Sequence, residues 1–149
     1  MRPPVIGQIW QDDCYYLSKF SNICQRKYVL VLAVDNKSDD CVSVVFTSQP
    51  NGLPDNPVCH IGNPRSGYYL GILGGTFIKE TWVDFDSLET LDNKDLHIHI
   101  GAGRKTLLKD TLSKTHFCGI LRCIMQRQND ITKQQWRLLG ETIAQLNCP

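Results

Sequence analysis

Gln25–Gln49 reads QRKYVLVLAVDNKSDDCVSVVFTSQ, and this stretch decides the fold. Its two apolar runs, residues 28–34 and 41–46, are rich in the β-branched and aromatic residues that suit a pleated, half-buried surface. Between them Asp35-Asn36-Lys37-Ser38-Asp39-Asp40 has the side-chain chemistry of a turn. Two strands joined in this way predict an antiparallel hairpin. Arg26 and Lys27 enter the first strand; Thr47, Ser48 and Gln49 leave the second. In an antiparallel pair those ends lie side by side, so cations, hydroxyls and an amide are expected at one rim. That is the chemistry of an anion or phosphate site.

Upstream, Gly7-Gln8-Ile9-Trp10 predicts a first strand running to Asp12 or beyond, and 14–24 is expected to be a loop beside the rim. Downstream, strands are expected over 58–61, 68–73, 77–85 and 96–100, with turns at 49–56 and 62–67. Gly71, Gly74 and Gly75 lack the strand–GxGxxG–helix context of a phosphate cradle and are read as bends in the chain. From about Lys105 the apolar spacing lengthens to three and four, which predicts helices. Thr132 and Gln135 fit a capping box ahead of a stripe formed by Trp136, Leu139, Ile143 and Leu146. Six or so short strands followed by two helices predict a mostly β fold, a small curled sheet or barrel with C-terminal helices. A single domain over 1–149 is expected, with a β part at about 5–104 and a helical part at about 105–147.

The bulk properties are those of a soluble globule: 149 residues, 42% apolar, 21% charged and a net charge of +1. No apolar run approaches the roughly 18 residues of a membrane span, and MRPPVIGQIW lacks the pattern of a signal peptide. A cytoplasmic protein without membrane partner is therefore expected. The seven cysteines form no CxxC and no zinc-finger spacing, so reduced, mostly buried thiols are expected. Cys118 and Cys123, five apart on a helix, should point to different faces.

Two further groups invite chemistry. His97 and His99, at i and i+2 on the expected 96–100 strand, would share a face, but two histidines do not define a metal site, and no cofactor is expected. Asp84 and Asp86 would likewise share a face, and two adjacent carboxylates raise each other's pKa.

The order of these motifs resembles the MazF/PemK-type toxins, endoribonucleases with an SH3-like barrel. The resemblance runs through Gly7-Gln8-Ile9-Trp10, Lys27-Tyr28-Val29-Leu30, Val45-Phe46-Thr47-Ser48-Gln49, Trp82-Val83-Asp84-Phe85-Asp86 and Thr90-Leu91-Asp92. It departs from the family where an Arg-Pro pair is replaced by Lys27-Tyr28, with Arg26 one residue earlier, and where the opening acid is Gln8. The resemblance implies metal-independent cleavage of single-stranded RNA. Arg26 or Lys27 would stabilise the phosphorane charge, Thr47 and Ser48 would hold the phosphate, and Asp86 would move the proton. Gln49 would contact the strand, and Tyr15, Tyr16, Phe20 and Tyr69 would stack on unpaired bases. It further implies a homodimer neutralised by an antitoxin protein laid over the RNA groove. The competing expectation is a non-catalytic SH3-like barrel that binds a protein or nucleic acid.

Overall fold

The structure, a computed structural model, describes residues 3–62 and 65–149. The expected arm at 1–4 and the turn at 62–67 therefore lie partly outside the described residues. The strands are β1 (Ile9–Leu17), β2 (Cys24–Val34), β3 (Cys41–Thr47), β4 (Cys59–His60), β5 (Gly67–Gly71), β6 (Thr81–Leu91) and β7 (Lys105–Leu107). The helices are α1 (Asn93–Gly101), α2 (Lys114–Ile124) and α3 (Lys133–Leu146), with one 3₁₀ turn at Gln128–Asp130. Among the described residues the strands form one antiparallel sheet in the order β4-β5-β6-β3-β2-β1-β7. Its two edges do not meet, so it is a curled sheet with C-terminal helices and not a closed barrel.

The β2–β3 hairpin lies at its centre, with Tyr28 opposite Phe46 and Leu30 opposite Val44. Leu30, Leu32, Val44 and Phe46 of the hairpin and Val83 and Phe85 of β6 meet Ile120, Leu121 and Ile124 of α2 and Leu138, Leu139 and Ile143 of α3 in the main core. On the opposite face a smaller cluster, Trp10, Val31 and Cys41, is closed by Leu91 and by Ile100 of α1. Every residue of β3 is buried because both of its faces are covered, which is why that strand reads as a continuous apolar run.

The α3 capping box forms as the sequence predicts: Thr132 accepts from the Gln135 amide, and Gln135 reaches back to the Thr132 amide. Trp136 leaves the expected stripe and is 38% exposed. Its neighbour Gln135 takes the buried position and donates to Thr90 at 3.2 Å. Gly119, a poor helix former, sits where the Tyr68 side chain packs against α2 and leaves no room for a Cβ.

Four element expectations are corrected. Residues 96–100 are helical, because the Asp92 carboxylate caps the amides of Lys94 and Asp95. The alternation Leu96-His97-Ile98-His99-Ile100 also places Leu96 and Ile100 at helical i, i+4 spacing, so a period of two was equally a period of four. The strand expected at 77–85 runs instead from Thr81 to Leu91, where Leu91 and Glu89 pair with Cys41 and Ser43. Lys105–Leu107 is strand and not helix, paired with Trp10–Asp12. The 14–24 segment is not all loop: β1 continues to Leu17 and β2 starts at Cys24.

The thiol expectation is also corrected. Six cysteines form three disulfides, Cys14–Cys24, Cys59–Cys123 and Cys118–Cys148, and only Cys41 is free, buried in the small cluster. Cys118 and Cys123 do point apart, each to a different partner. Two of the bridges span 64 and 30 residues, and cysteine spacing alone does not disclose such pairings.

Candidate functional site

The hairpin rim is a cleft of about 280 Å³. Arg26, Lys27, Thr47 and Ser48 line it together with Tyr28 and Phe46 of the hairpin and residues 76–79 and Thr81 of the next connection. Its floor is aromatic: Phe77 meets Tyr28 and Phe46 edge-on, with ring centroids 5.2 and 5.0 Å apart. The far wall adds a third cation, Lys79.

That wall exists because the chain reverses at Gly74-Gly75, both in the left-handed region, and closes a two-way hydrogen bond between Gly74 and Phe77. Asp110 pins the turn, accepting from the Thr76 amide at 3.0 Å and from its hydroxyl at 2.7 Å. These bonds to Thr76 hold the Asp110 carboxyl below its ordinary pKa. Thr76, Phe77 and Lys79 were missed in the sequence, although the Gly74-Gly75 pair is the signal of a chain folding back.

Strand register settles which cation faces which way. Tyr28 is opposite Phe46, so Arg26 shares their face, whereas Lys27 shares the face of Thr47. Lys27 also stands opposite Asp12, and Thr47 opposite Trp82. The cleft opens at the end of the hairpin, where both faces are reached. Arg26 is 58% exposed and its Nε pairs with Asp13 Oδ1 at 3.3 Å. Thr47 is buried, and its hydroxyl donates to the Gln49 carbonyl and accepts from the Gln49 amide, both at 3.1 Å. Thr47 therefore shapes the strand end, while Ser48 and Gln49 are exposed.

The other expected residues are dispersed. Asp86 is not at the cleft. It lies four residues along β6 from the partner of Thr47, roughly 13 Å at strand rise, and pairs with Arg127 at 3.2 Å. Asp84 pairs with Arg65 at 2.9 Å, so each carboxylate has its own arginine and the two do not act as a pair. Tyr15 donates to Glu89 at 3.1 Å, and burial followed by the Glu89 charge raises the pKa of its phenol. Tyr69 donates to Glu80 at 2.8 Å and packs on Trp82. Both rings are therefore engaged within the protein. Tyr16 and Phe20 are exposed at the β1–β2 tip; Tyr16 meets Tyr15 edge-on, and Phe20 is the expected stacking residue left free for a ligand.

The expected histidine face does not form. On α1, residues two apart point to different sides, and His99 is turned to Arg104, 3.2 Å away. Burial, then the charges of Arg104 and Lys105, lower the His99 pKa. Among the described residues no three His, Cys, Asp or Glu side chains gather as a metal site would require.

A second charged group lies one strand away. Asp12, 1% exposed, receives Arg104 Nε at 2.9 Å and Nη2 at 3.3 Å, and Lys105 Nζ lies 3.8 Å from it. Desolvation lowers the pKa of Lys105.

Comparison with protein-family models, with curated proteins and with solved structures finds no match.

Proposed function

We propose that the rim cleft binds the backbone of single-stranded RNA and cleaves it without a metal ion, the reaction implied by the resemblance to MazF/PemK-type toxins. One observation carries the reading. Arg26, Lys27, Thr47 and Ser48, marked out by their places at two strand ends, line one cleft with an aromatic floor and a third cation. A cationic groove with aromatic surface is what a single strand needs: cations for phosphates, rings for bases.

In the proposed reaction the ribose 2′-oxygen attacks phosphorus and the bond to the 5′-oxygen breaks. The products are a 2′,3′-cyclic phosphate and a 5′-hydroxyl that gains the proton. Arg26 and Lys27 stabilise charge on the phosphorane, and Ser48 donates to a phosphate oxygen. Among the described residues no carboxylate lines the cleft. The 2′-proton then leaves to solvent base, and the rate should rise by about tenfold per pH unit near neutrality. A homodimer and an antitoxin partner covering the cleft belong to the same proposal.

The second reading is binding without turnover, and the separation of Asp86 from the cleft favours it. One experiment separates the two. Single-stranded RNA is incubated with the protein in EDTA, its products are mapped, and binding is followed by anisotropy. Cyclic-phosphate ends that disappear with combined Arg26→Ala and Lys27→Ala support cleavage. Binding without products supports the second reading, and absence of both defeats the RNA assignment.

No helix among the described residues is long and apolar enough to cross a membrane. The cytoplasmic location expected from the sequence is part of the proposal and stands against three disulfides, a bonding state typical of oxidising compartments. Alkylation of thiols before cell lysis decides it: free Cys14 and Cys24 would support the cytoplasm, and complete protection would exclude it.

A further inference from the structure

We infer that the Cys14–Cys24 disulfide is a redox gate on the rim cleft, an inference that rests on the anion-binding role proposed for that cleft. Three features single it out from the other two bridges. Cys24 is exposed and Cys14 half-buried, whereas Cys118, Cys148 and Cys123 are buried and Cys59 is half-buried, so Cys24 is the one exposed cysteine of the three bridges. Its sequence separation of 10 is the shortest of the three. And it flanks the site: Cys14 follows Asp13, and Cys24 lies two residues before Arg26, the ion partner of Asp13.

The local fold explains why this bridge controls Arg26. Between the pairs Asp12–Lys27 and Tyr16–Gln25, residues 13–15 of β1 bulge against the single residue Arg26 of β2. Beyond the bulge the hairpin continues through Tyr16–Gln25 and Leu17–Cys24 to a backbone bond from Ser18 to Ile23. This extension is two-stranded, and Leu17, Phe20 and Ile23 on it are exposed, so those side chains do not anchor it to the core. An isolated two-stranded ribbon is marginal in water. The disulfide is the one covalent tie across it.

A dithiol reductant opens the bridge by thiolate attack on the sulfur of Cys24, the exposed residue of the pair. Cys14 leaves as a thiolate, and the second thiol of the reductant then releases Cys24. Two protein thiols and one oxidised dithiol result. The extension is then free to fray as far as the bulge, and Arg26 must be re-ordered before it can hold an anion.

The test uses the full chain. Graded treatment with a dithiol, alkylation and mass mapping are expected to label Cys14 and Cys24 before any other paired cysteine. The chain reduced to that stage and left unalkylated, and separately a Cys14→Ser/Cys24→Ser variant, should show faster amide exchange at residues 25–27. Both should bind a short single-stranded RNA roughly three- to tenfold more weakly than the oxidised chain, since the tether no longer limits disorder in the free state. Re-oxidation of the reduced, unalkylated chain should restore both properties, which guards against a variant that merely misfolds. Opening of this bridge together with or after the other two overturns the inference, as does unchanged exchange at 25–27. So does RNA affinity that is equal in the two forms. If the oxidised chain binds no RNA, the proposed function fails, while the labelling order and amide exchange still decide whether the bridge governs the rim.

Discussion

Two pairs of neighbouring cations, Arg26-Lys27 and Arg104-Lys105, sit two strands apart in the same sheet and have opposite fates. Lys105 and Lys27 stand on either side of Asp12 in one cross-strand row, and the same row continues to Thr47 and Trp82. Buried Lys105 and half-buried Arg104 turn to Asp12, which is almost closed to water. Arg26 and Lys27 border an open cleft, and the single carboxylate pairing with Arg26 is on the surface. The two places share the same Arg-Lys dipeptide. What differs is whether the side chain turns to a buried acid: Lys27 also stands opposite Asp12, but the ion pairs of Asp12 go to Arg104 and Lys105. Where the cation turns to the acid, the charge serves the fold; where it does not, the charge is available to a ligand.

The largest effect expected from this contrast is on stability. Asp12→Ala leaves Lys105, 5% exposed, beside Arg104 with no counter-charge, and frees the Cys14 amide that Asp12 also accepts. Removing one member of a buried pair costs about 3 kcal/mol, to be read from urea unfolding. A loss below one-third of that would mean that the cluster is hydrated and that the two cation pairs are alike after all. The double substitution at Arg26 and Lys27, by comparison, should leave unfolding almost unchanged, within about 0.5 kcal/mol for surface groups.

A smaller effect, and one that depends on pH, is expected from Lys105→Met. The folded-state pKa of Lys105 lies below its ordinary value of 10.5, chiefly through desolvation. Folding therefore disfavours its charged form. The resulting penalty is fully present below the folded pKa and is relieved as pH rises from there toward 10.5. The wild type should accordingly gain stability relative to Lys105→Met on raising the pH through that window. Unfolding curves of the two proteins across the alkaline range check the sign, and a difference that stays constant or shifts toward the variant as pH rises would mean that desolvation does not govern Lys105.

The contrast also marks what could be read in the chain. The hairpin, its rim residues and the α3 cap were legible because each depends on neighbours in sequence or on one tight connection. The fate of each cation was not, because it depends on register with a distant strand: Asp12 meets residues 104 and 105 only after β7 pairs with β1. Asp86 failed for a related reason. Its strand runs past the expected end at Phe85, and Arg127, which holds it, comes from the segment after α2. The disulfides were hidden in the same way, since Cys59 finds Cys123 only when α2 packs beside β4 and β5. Alternation at 96–100 misled because Leu96 and Ile100 satisfy both periods, and the deciding group, the Asp92 cap, lies outside the pattern.

The smallest expected effect sharpens the comparison at the cleft itself. Asp13 is to Arg26 what Asp12 is to Arg104, but it is exposed: the pair is 58% and 44% accessible at 3.3 Å. A surface pair of this kind is worth little, about 0.5 kcal/mol, and it competes with any anion for the same guanidinium. Asp13→Asn removes the competitor and keeps the shape. Affinity for single-stranded RNA should then rise by roughly twofold, with the gain shrinking as salt screens the cleft. Anisotropy titrations at two ionic strengths measure both terms. A fall in affinity would show instead that the Asp13 carboxylate holds Arg26 in its binding pose, making the exposed acid as structural as the buried one.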